Sequence, residues 1–84
     1  MPPRPEFPER ARAQNIEGYA IVSFTVTAAG TIREAQIVEA QPSGWFERAA
    51  VSAANRLRYQ PKLVEGEPVE APGMMYKFVF DLED

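Results

Sequence analysis

The chain has 84 residues and an apolar fraction of 45%, which suffices for one small domain with a single layer of helix on sheet. It contains no cysteine and no histidine, and this excludes disulfides, thiol nucleophiles and Cys/His metal sites. The net charge of −3 argues against a nucleic-acid partner, because nucleic-acid-binding proteins usually present a basic face.

The first eight residues, MPPRPEFP, include four prolines. Such a tract is typical of an extended polyproline spacer, so we expect residues 1–6 to be the end of a linker and residues 7–84 to form the domain. A naturally short protein with a poorly ordered start is the alternative. No run of 18 apolar residues occurs, so the sequence predicts no membrane-spanning segment.

The first half of the chain predicts a short helix and a β-hairpin. Pro8 suits the first turn of a helix over residues 8–14. Alternating apolar residues predict a strand over residues 18–27, and Gly30 suits the following turn. The return strand, residues 32–40, changes the parity of its apolar positions, which predicts a bulge near Glu34-Ala35.

The second half predicts a longer helix, a loop and a final strand. Apolar residues at helical spacing predict a helix over residues 44–58, with Ser43 as its N-cap. Turn residues indicate a loop over residues 62–73. Residues 74–82, MMYKFVFDL, alternate between an aromatic face and a mixed polar face, as expected for a strand that is buried on one side.

The element order is therefore α-β-β-α-β, and the fold class is α+β. A helical crossover that skips one position places the third strand beside the first, on the side away from the second. The expected architecture is two helices packed on one face of a three-stranded antiparallel sheet with strand order 2-1-3. The third strand then lies at an edge, where unpaired backbone N–H and C=O groups are available to a partner.

No group of residues in the sequence indicates catalysis. The acidic clusters Glu65, Glu67, Glu70 and Asp81, Glu83, Asp84 are better explained as solvated charge than as general acids or bases. The serines have no histidine to activate them, and no phosphate-binding glycine loop is present. We therefore expect a protein that is not an enzyme and that has no catalytic, cofactor or metal site.

Three side chains near the helices admit two interpretations each. Trp45 either binds a partner or covers the edge of the hairpin, and its neighbour Phe46 belongs to the core in both cases. Arg10 and Arg12 on the first helix either contact an acidic or carbonyl-rich partner or form a solvated face.

Several segments, in this order and spacing over about residues 3–82, resemble the C-terminal periplasmic domain of TonB-family energy transducers. The matching segments are Phe7-Pro8, Arg10-Ala11, Ile16-Glu17-Gly18, Val22, Phe24, Val26, Gly30, Gln36-Ile37, Pro42, Phe46-Glu47-Arg48, Arg58-Tyr59-x-Pro61, Gly66-x-Pro68-Val69 and Phe78-x-Phe80. No single segment is diagnostic, but together they cover nearly the whole chain.

The resemblance implies a periplasmic module without chemistry of its own, tethered to the inner membrane by an N-terminal helix that is absent from this chain. In that family the domain binds the TonB box, a short segment of outer-membrane transporters, as a strand added to the last strand. An ExbB/ExbD-type motor in the inner membrane supplies the proton-motive force for uptake of siderophore- or vitamin-type nutrients.

The resemblance, together with the available edge, indicates Met75, Lys77, Val79 and Asp81 as the contact row beside the added strand, with Arg10 and Arg12 as helix contacts. Two alternatives stay open. A TolA-like or sensor-attached TonB-like module would keep the fold and change the partner. In a homodimer paired through the last strands, the unpaired backbone groups of one copy would bond to those of a second copy.

Overall fold

The structure, a computed structural model, describes residues 4–82. Two helices and five strands follow one another in the order α1 (Glu9–Ala13), β1 (Gly18–Val26), β2 (Ile32–Gln41), α2 (Glu47–Ala54), β3 (Lys62–Val64), β4 (Glu67–Val69) and β5 (Ala71–Phe80). Neither helix is long and apolar enough to cross a membrane.

The main sheet has three antiparallel strands in the order β2-β1-β5. This confirms the predicted α+β architecture of two helices and a three-stranded antiparallel sheet. The last strand lies beside the first, on the side away from the second. β1 is the central strand, and its residues Ala20, Val22, Phe24 and Val26 are buried. Because successive side chains of a strand point to opposite faces of the sheet, these buried residues mark the face on which the helices pack.

The predicted bulge in β2 is confirmed. Ser23 pairs with Gln36 and Thr25 pairs with Arg33, so residues 34 and 35 together lie opposite one residue of β1. Glu34 has a φ of 59°, a conformation that permits the extra residue. A second irregularity follows, because Ile21 pairs with Glu39 while Val22 pairs with Ile37.

Three aromatic rings close the core. Phe46, just before α2, stacks on Phe80 of β5 with ring centroids 4.4 Å apart and planes 14° apart. Phe7, just before α1, meets both rings edge-on, at 5.7 Å from Phe46 and 6.0 Å from Phe80. This cluster joins three segments that are distant in the sequence and thereby fixes the N-terminal segment and α2 against β5.

The long helix is shorter than predicted. It begins at Glu47 rather than at residue 44, because Gly44 has a φ of 89° and cannot continue into a helix. Ser43 is not the N-cap; Phe46 holds that position, and the Glu47 carboxylate accepts the Gly44 N–H at 2.8 Å. At its end, hydrogen bonds to the third preceding residue tighten the chain into a turn before residue 58.

The predicted loop over residues 62–73 was also wrong in part. It contains the hairpin β3-β4, which forms a separate two-stranded sheet. The hairpin turns through Glu65 and Gly66, whose φ angles of 51° and 82° are both positive, as a tight hairpin turn requires. β5 begins at Ala71, earlier than predicted, and ends at Phe80, so Asp81 and Leu82 lie beyond the strand.

We expect Phe46→Ala to lower the free energy of unfolding by about 3–5 kcal/mol, because the ring is fully buried and its loss removes the stack on Phe80. Urea denaturation measures the change, with Leu63→Ala as the control. Leu63 is 63% exposed in β3, so its truncation should change stability by less than about 0.5 kcal/mol. A loss below about 1 kcal/mol for Phe46→Ala would show that the aromatic cluster does not hold the core together.

Candidate functional site

The outer edge of β5 is the more regular of the two edges of the main sheet. From Phe80 to Met74 the strand pairs with β1 residue by residue, without a register shift. The opposite edge, β2, carries two irregularities in its ten residues. Bulges twist an edge and interrupt its row of hydrogen-bonding groups, so β5 is the edge that can accept another strand.

The direction of the free backbone groups follows from the pairing of β1. Successive residues of an antiparallel strand point their N–H and C=O groups to opposite sides. Thr27 donates its N–H to the carbonyl of Thr31 across the β1-β2 turn at 2.8 Å, so odd-numbered residues of β1 face β2 and even-numbered residues face β5. The even-numbered residues pair with Phe80, Phe78, Tyr76 and Met74. We therefore infer that the N–H groups of Met75, Lys77 and Val79 point to the open edge.

A hydrogen bond beyond the end of β5 agrees with this direction. Leu82 donates its N–H to the Glu17 carboxylate at 2.7 Å, on the β1 side of the strand. Leu82 has the same parity as Phe80, so its N–H points to the same side as the groups that pair with β1. The predicted contact residue Asp81 is exposed, but it lies after the last residue of β5 and is not part of the ladder.

The side chains of the contact row lie on the face of the sheet without helices. Met75 is 61% exposed and Val79 is 59% exposed, and Lys77 is also exposed. The Lys77 ammonium lies 4.4 Å from the ring centroid of Tyr19, whose hydroxyl donates to the Glu39 carboxylate. These three side chains therefore connect β5, β1 and β2 across the open face. The hydrogen bond to Glu39 raises the pKa of Tyr19 above its ordinary value.

The two predicted helix contacts both line a groove between α1 and α2, but only Arg12 also lies beside the end of β5. The guanidinium of Arg12 lies 5.0 Å from the ring centroid of Phe7, and Arg12 shares a small depression with Val79 and Asp81 at the end of β5. Arg10 instead lies 4.6 Å from the ring centroid of Trp45, in a groove between α1 and α2. The structure thus brings Arg12 close to the contact row and places Arg10 away from it.

Three further arginines, which the sequence pattern did not indicate as part of a site, line that groove. Besides Arg10 and Arg12, it is lined by Arg4 of the N-terminal segment and by Arg48 and Arg56 from α2 and the turn after it. Trp45, half-buried against the core, lies under Arg10. Only the spacing of Arg48 and Arg56 in the helix predicted over residues 44–58 could have indicated a shared face, since the approach of the N-terminal segment depends on tertiary packing.

Within residues 4–82, no group of three or more acidic, cysteine or histidine side chains could hold a metal ion. The site therefore consists of a backbone edge, a row of exposed side chains and a cationic groove.

Residues 3–82 match the family described as Gram-negative bacterial TonB protein C-terminal. The chain belongs to this TonB family. It is 38% identical over 79 residues to Protein TonB of Salmonella typhimurium, covering 94% of this chain and 30% of that protein. It is 43% identical over 75 residues to Protein TonB of Klebsiella pneumoniae, covering 89% and 29% of the two chains.

The fold also agrees with a solved TonB structure. The solution NMR structure of the Pseudomonas aeruginosa TonB CTD superposes with a TM-score of 0.78 at 32% identity, covering 100% of this chain and 84% of that one. The chain spans about 30% of the length of the curated TonB relatives it matches. The family assignment thus concerns the C-terminal part of those proteins.

The groove also contains a carboxylate whose charge should affect stability. The N–H of Gly44 donates to Glu47, which lowers the pKa of Glu47 below its ordinary value. A lowered pKa stabilises the folded state above the pKa of the unfolded chain, and this contribution is lost as the pH falls through the folded-state pKa. We expect Glu47→Gln to cost about 0.3–1 kcal/mol at pH 7 and progressively less below pH ~4.

Thermal unfolding of the two proteins between neutral and acidic pH measures this difference. Glu67→Gln is the matched control, because it removes an exposed charge on β4 for which the described residues provide no hydrogen bond. A stability difference for Glu47→Gln that stayed constant with pH would mean that the charge of Glu47 is not what stabilises the start of α2.

Proposed function

We propose that this chain is the partner-binding domain of a TonB-type energy transducer, and that it binds the TonB box of outer-membrane transporters as a strand added to β5. The observation that supports this most is the regular run from Met74 to Phe80, which pairs on one side with β1 and presents the N–H groups of Met75, Lys77 and Val79 on the other. The family assignment supports the same partner class.

Strand addition divides affinity and specificity between backbone and side chains. The backbone of Met75, Lys77 and Val79 would donate and accept ladder hydrogen bonds, which depend little on the partner's sequence. The exposed side chains of the same residues would contact alternate residues of the box on the open face. Arg12 and Asp81, beside Val79, would contact the residues that flank the box.

The rest of the proposed transducer lies outside the described residues. An N-terminal helix would tether the protein to the inner membrane, where an ExbB/ExbD-type motor would supply the proton-motive force. Residues 1–6 would be the end of the periplasmic linker, and the domain would start at Phe7, which is the first residue to join the aromatic cluster. Force applied to the box would remodel the transporter and admit a siderophore- or vitamin-type nutrient.

The same edge also supports a second candidate function, a homodimer in which two β5 strands pair with each other. Met75 and Val79, which are apolar and more than half exposed, would then be covered by their counterparts. Sedimentation over a range of protein concentrations separates a dimer from a monomer that binds a peptide. A TolA-like or sensor-attached module would use the edge for a different envelope partner.

Val79→Pro should abolish binding of a synthetic TonB-box peptide while the domain stays folded. Proline removes the N–H that we assign to the open edge, whereas a residue bonded to β1 could not be replaced by proline without loss of the fold. An NMR titration with labelled protein measures binding through the amide shifts of residues 74–80, and circular dichroism measures folding. Val79→Thr keeps the N–H and the β-branched shape and serves as the control.

The titration and the circular dichroism together distinguish the alternatives. Unfolding of Val79→Pro would show that its N–H pairs with β1, contrary to our assignment. A folded Val79→Pro that still binds the box would rule out strand addition at this position. A wild-type monomer whose amides do not shift at millimolar box peptide would favour the module with a different envelope partner.

A further inference from the structure

The groove between α1 and α2 has a volume of about 1300 Å³ and collects five of the nine basic residues of the chain: Arg4, Arg10, Arg12, Arg48 and Arg56. It lies beside the helices, away from the open face that carries Met75 and Lys77, and only Arg4 and Arg12 among its arginines also border the end of β5. We propose that this groove is a second docking site and that its occupant is an acidic peptide in extended conformation. The proposal does not depend on strand addition at β5.

None of the groove arginines forms an ion pair with a described carboxylate. The ion pairs within residues 4–82 join Arg33 to Glu34 and Glu70, and no groove arginine lies within 4.0 Å of a described carboxylate. All five side chains are exposed. Their guanidinium groups therefore retain donors for an anion, and arginine binds carboxylates through paired N–H groups.

Two of these guanidiniums are held in place by aromatic rings. Arg10 lies over Trp45 and Arg12 lies over Phe7, so each ring supports its guanidinium on one side while the arginine side chain stays exposed. Arg56 donates to the backbone carbonyl of Arg4 at 3.3 Å, which ties the N-terminal segment to the turn after α2. These contacts reduce the conformational freedom that a ligand would otherwise have to remove.

The other charges in the groove decide which anion fits. Glu6, Glu9 and Glu47 line the same groove, which leaves a net charge of +2 from five arginines and three glutamates. A surface of uniform negative charge, such as a lipid layer or a nucleic acid, would place anions against these carboxylates. A single extended peptide can place its carboxylates beside the arginines and neutral residues beside the glutamates. The mixed lining therefore favours a peptide with spaced acidic residues.

The helix suggests the spacing. Arg48 is in the first turn of α2 and Arg56 is in the turn after Ala54; six helical positions and two positions of tighter turn separate them by roughly 12–13 Å. Residues four positions apart in an extended chain are roughly 13 Å apart and point to the same side. Ser52 and Ala49, which have small side chains, lie between the two arginines and leave room for a peptide backbone. We therefore expect a Glu-x-x-x-Glu pattern to fit this row.

Trp45 is the only tryptophan of the chain and lies in the groove, so its fluorescence reports binding directly. A blocked peptide with serine and threonine around a Glu-x-x-x-Glu pattern should produce a saturable change at low ionic strength, weakened by added salt. The same peptide with glutamine in place of glutamate should produce none. Arg48→Glu and Arg56→Glu should each weaken binding at least tenfold.

Lys62→Glu is the matched control. It makes the same change of charge on an exposed side chain of β3, outside the groove, and should weaken binding by no more than about twofold. Thermal unfolding verifies that each variant is folded. Box-peptide shifts at residues 74–80 should persist in Arg48→Glu and Arg56→Glu, which makes failure here distinguishable from failure of the β5 site.

Four results would overturn the proposal. The first is the absence of a saturable change at millimolar peptide. The second is equal weakening by Lys62→Glu, which would indicate diffuse charge attraction. The third is binding of anionic phosphatidylglycerol vesicles in place of the peptide, which would assign the groove to lipid headgroups. The fourth is a change in Trp45 fluorescence with protein concentration alone, which would assign it to a second copy of the chain.

Discussion

The contact among Phe7, Phe46 and Phe80 is the interaction on which the rest of the structure depends. The helices of this domain are short, five and eight residues, and helices of that length are not stable by themselves. Their positions must therefore come from tertiary packing. The stacked rings supply it by joining the segment before α1, the residue before α2 and the last strand. Because the Phe80 ring packs against Phe7 and Phe46 on the helix side, one face of β5 is fixed. The outer edge of β5 stays open.

Much of the fold could be predicted from local pattern. The alternation of Ala20, Val22, Phe24 and Val26 with less buried residues predicted β1. The change of parity between Ile32 and Ile37 predicted the bulge near Glu34. The strand order followed from a general rule about crossovers. These features are determined by residues that are close in sequence or by chirality, so a single sequence contains them.

What could not be predicted depended on backbone conformations and on contacts between distant residues. Ser43 was a good capping residue by type, but the positive φ of Gly44 moved the start of α2 to Glu47. The β3-β4 hairpin was missed because Pro68 and the glycines suggested a loop, whereas Gly66 serves the turn between two short strands. The groove was missed because Arg4, Arg10 and Arg56 come together only after the N-terminal segment has packed. The open edge of the last strand, in contrast, could be predicted from the strand order alone.

The unequal edges of the sheet limit how many strands the domain can acquire. Fibrous β-structures grow because every added strand exposes a new edge equivalent to the last one, at both ends of the stack. Here the irregular β2 blocks growth at one end. Strand pairing is therefore confined to the β5 edge, and under the proposed function a pull on the domain would be transmitted along the single chain paired there rather than divided between two edges.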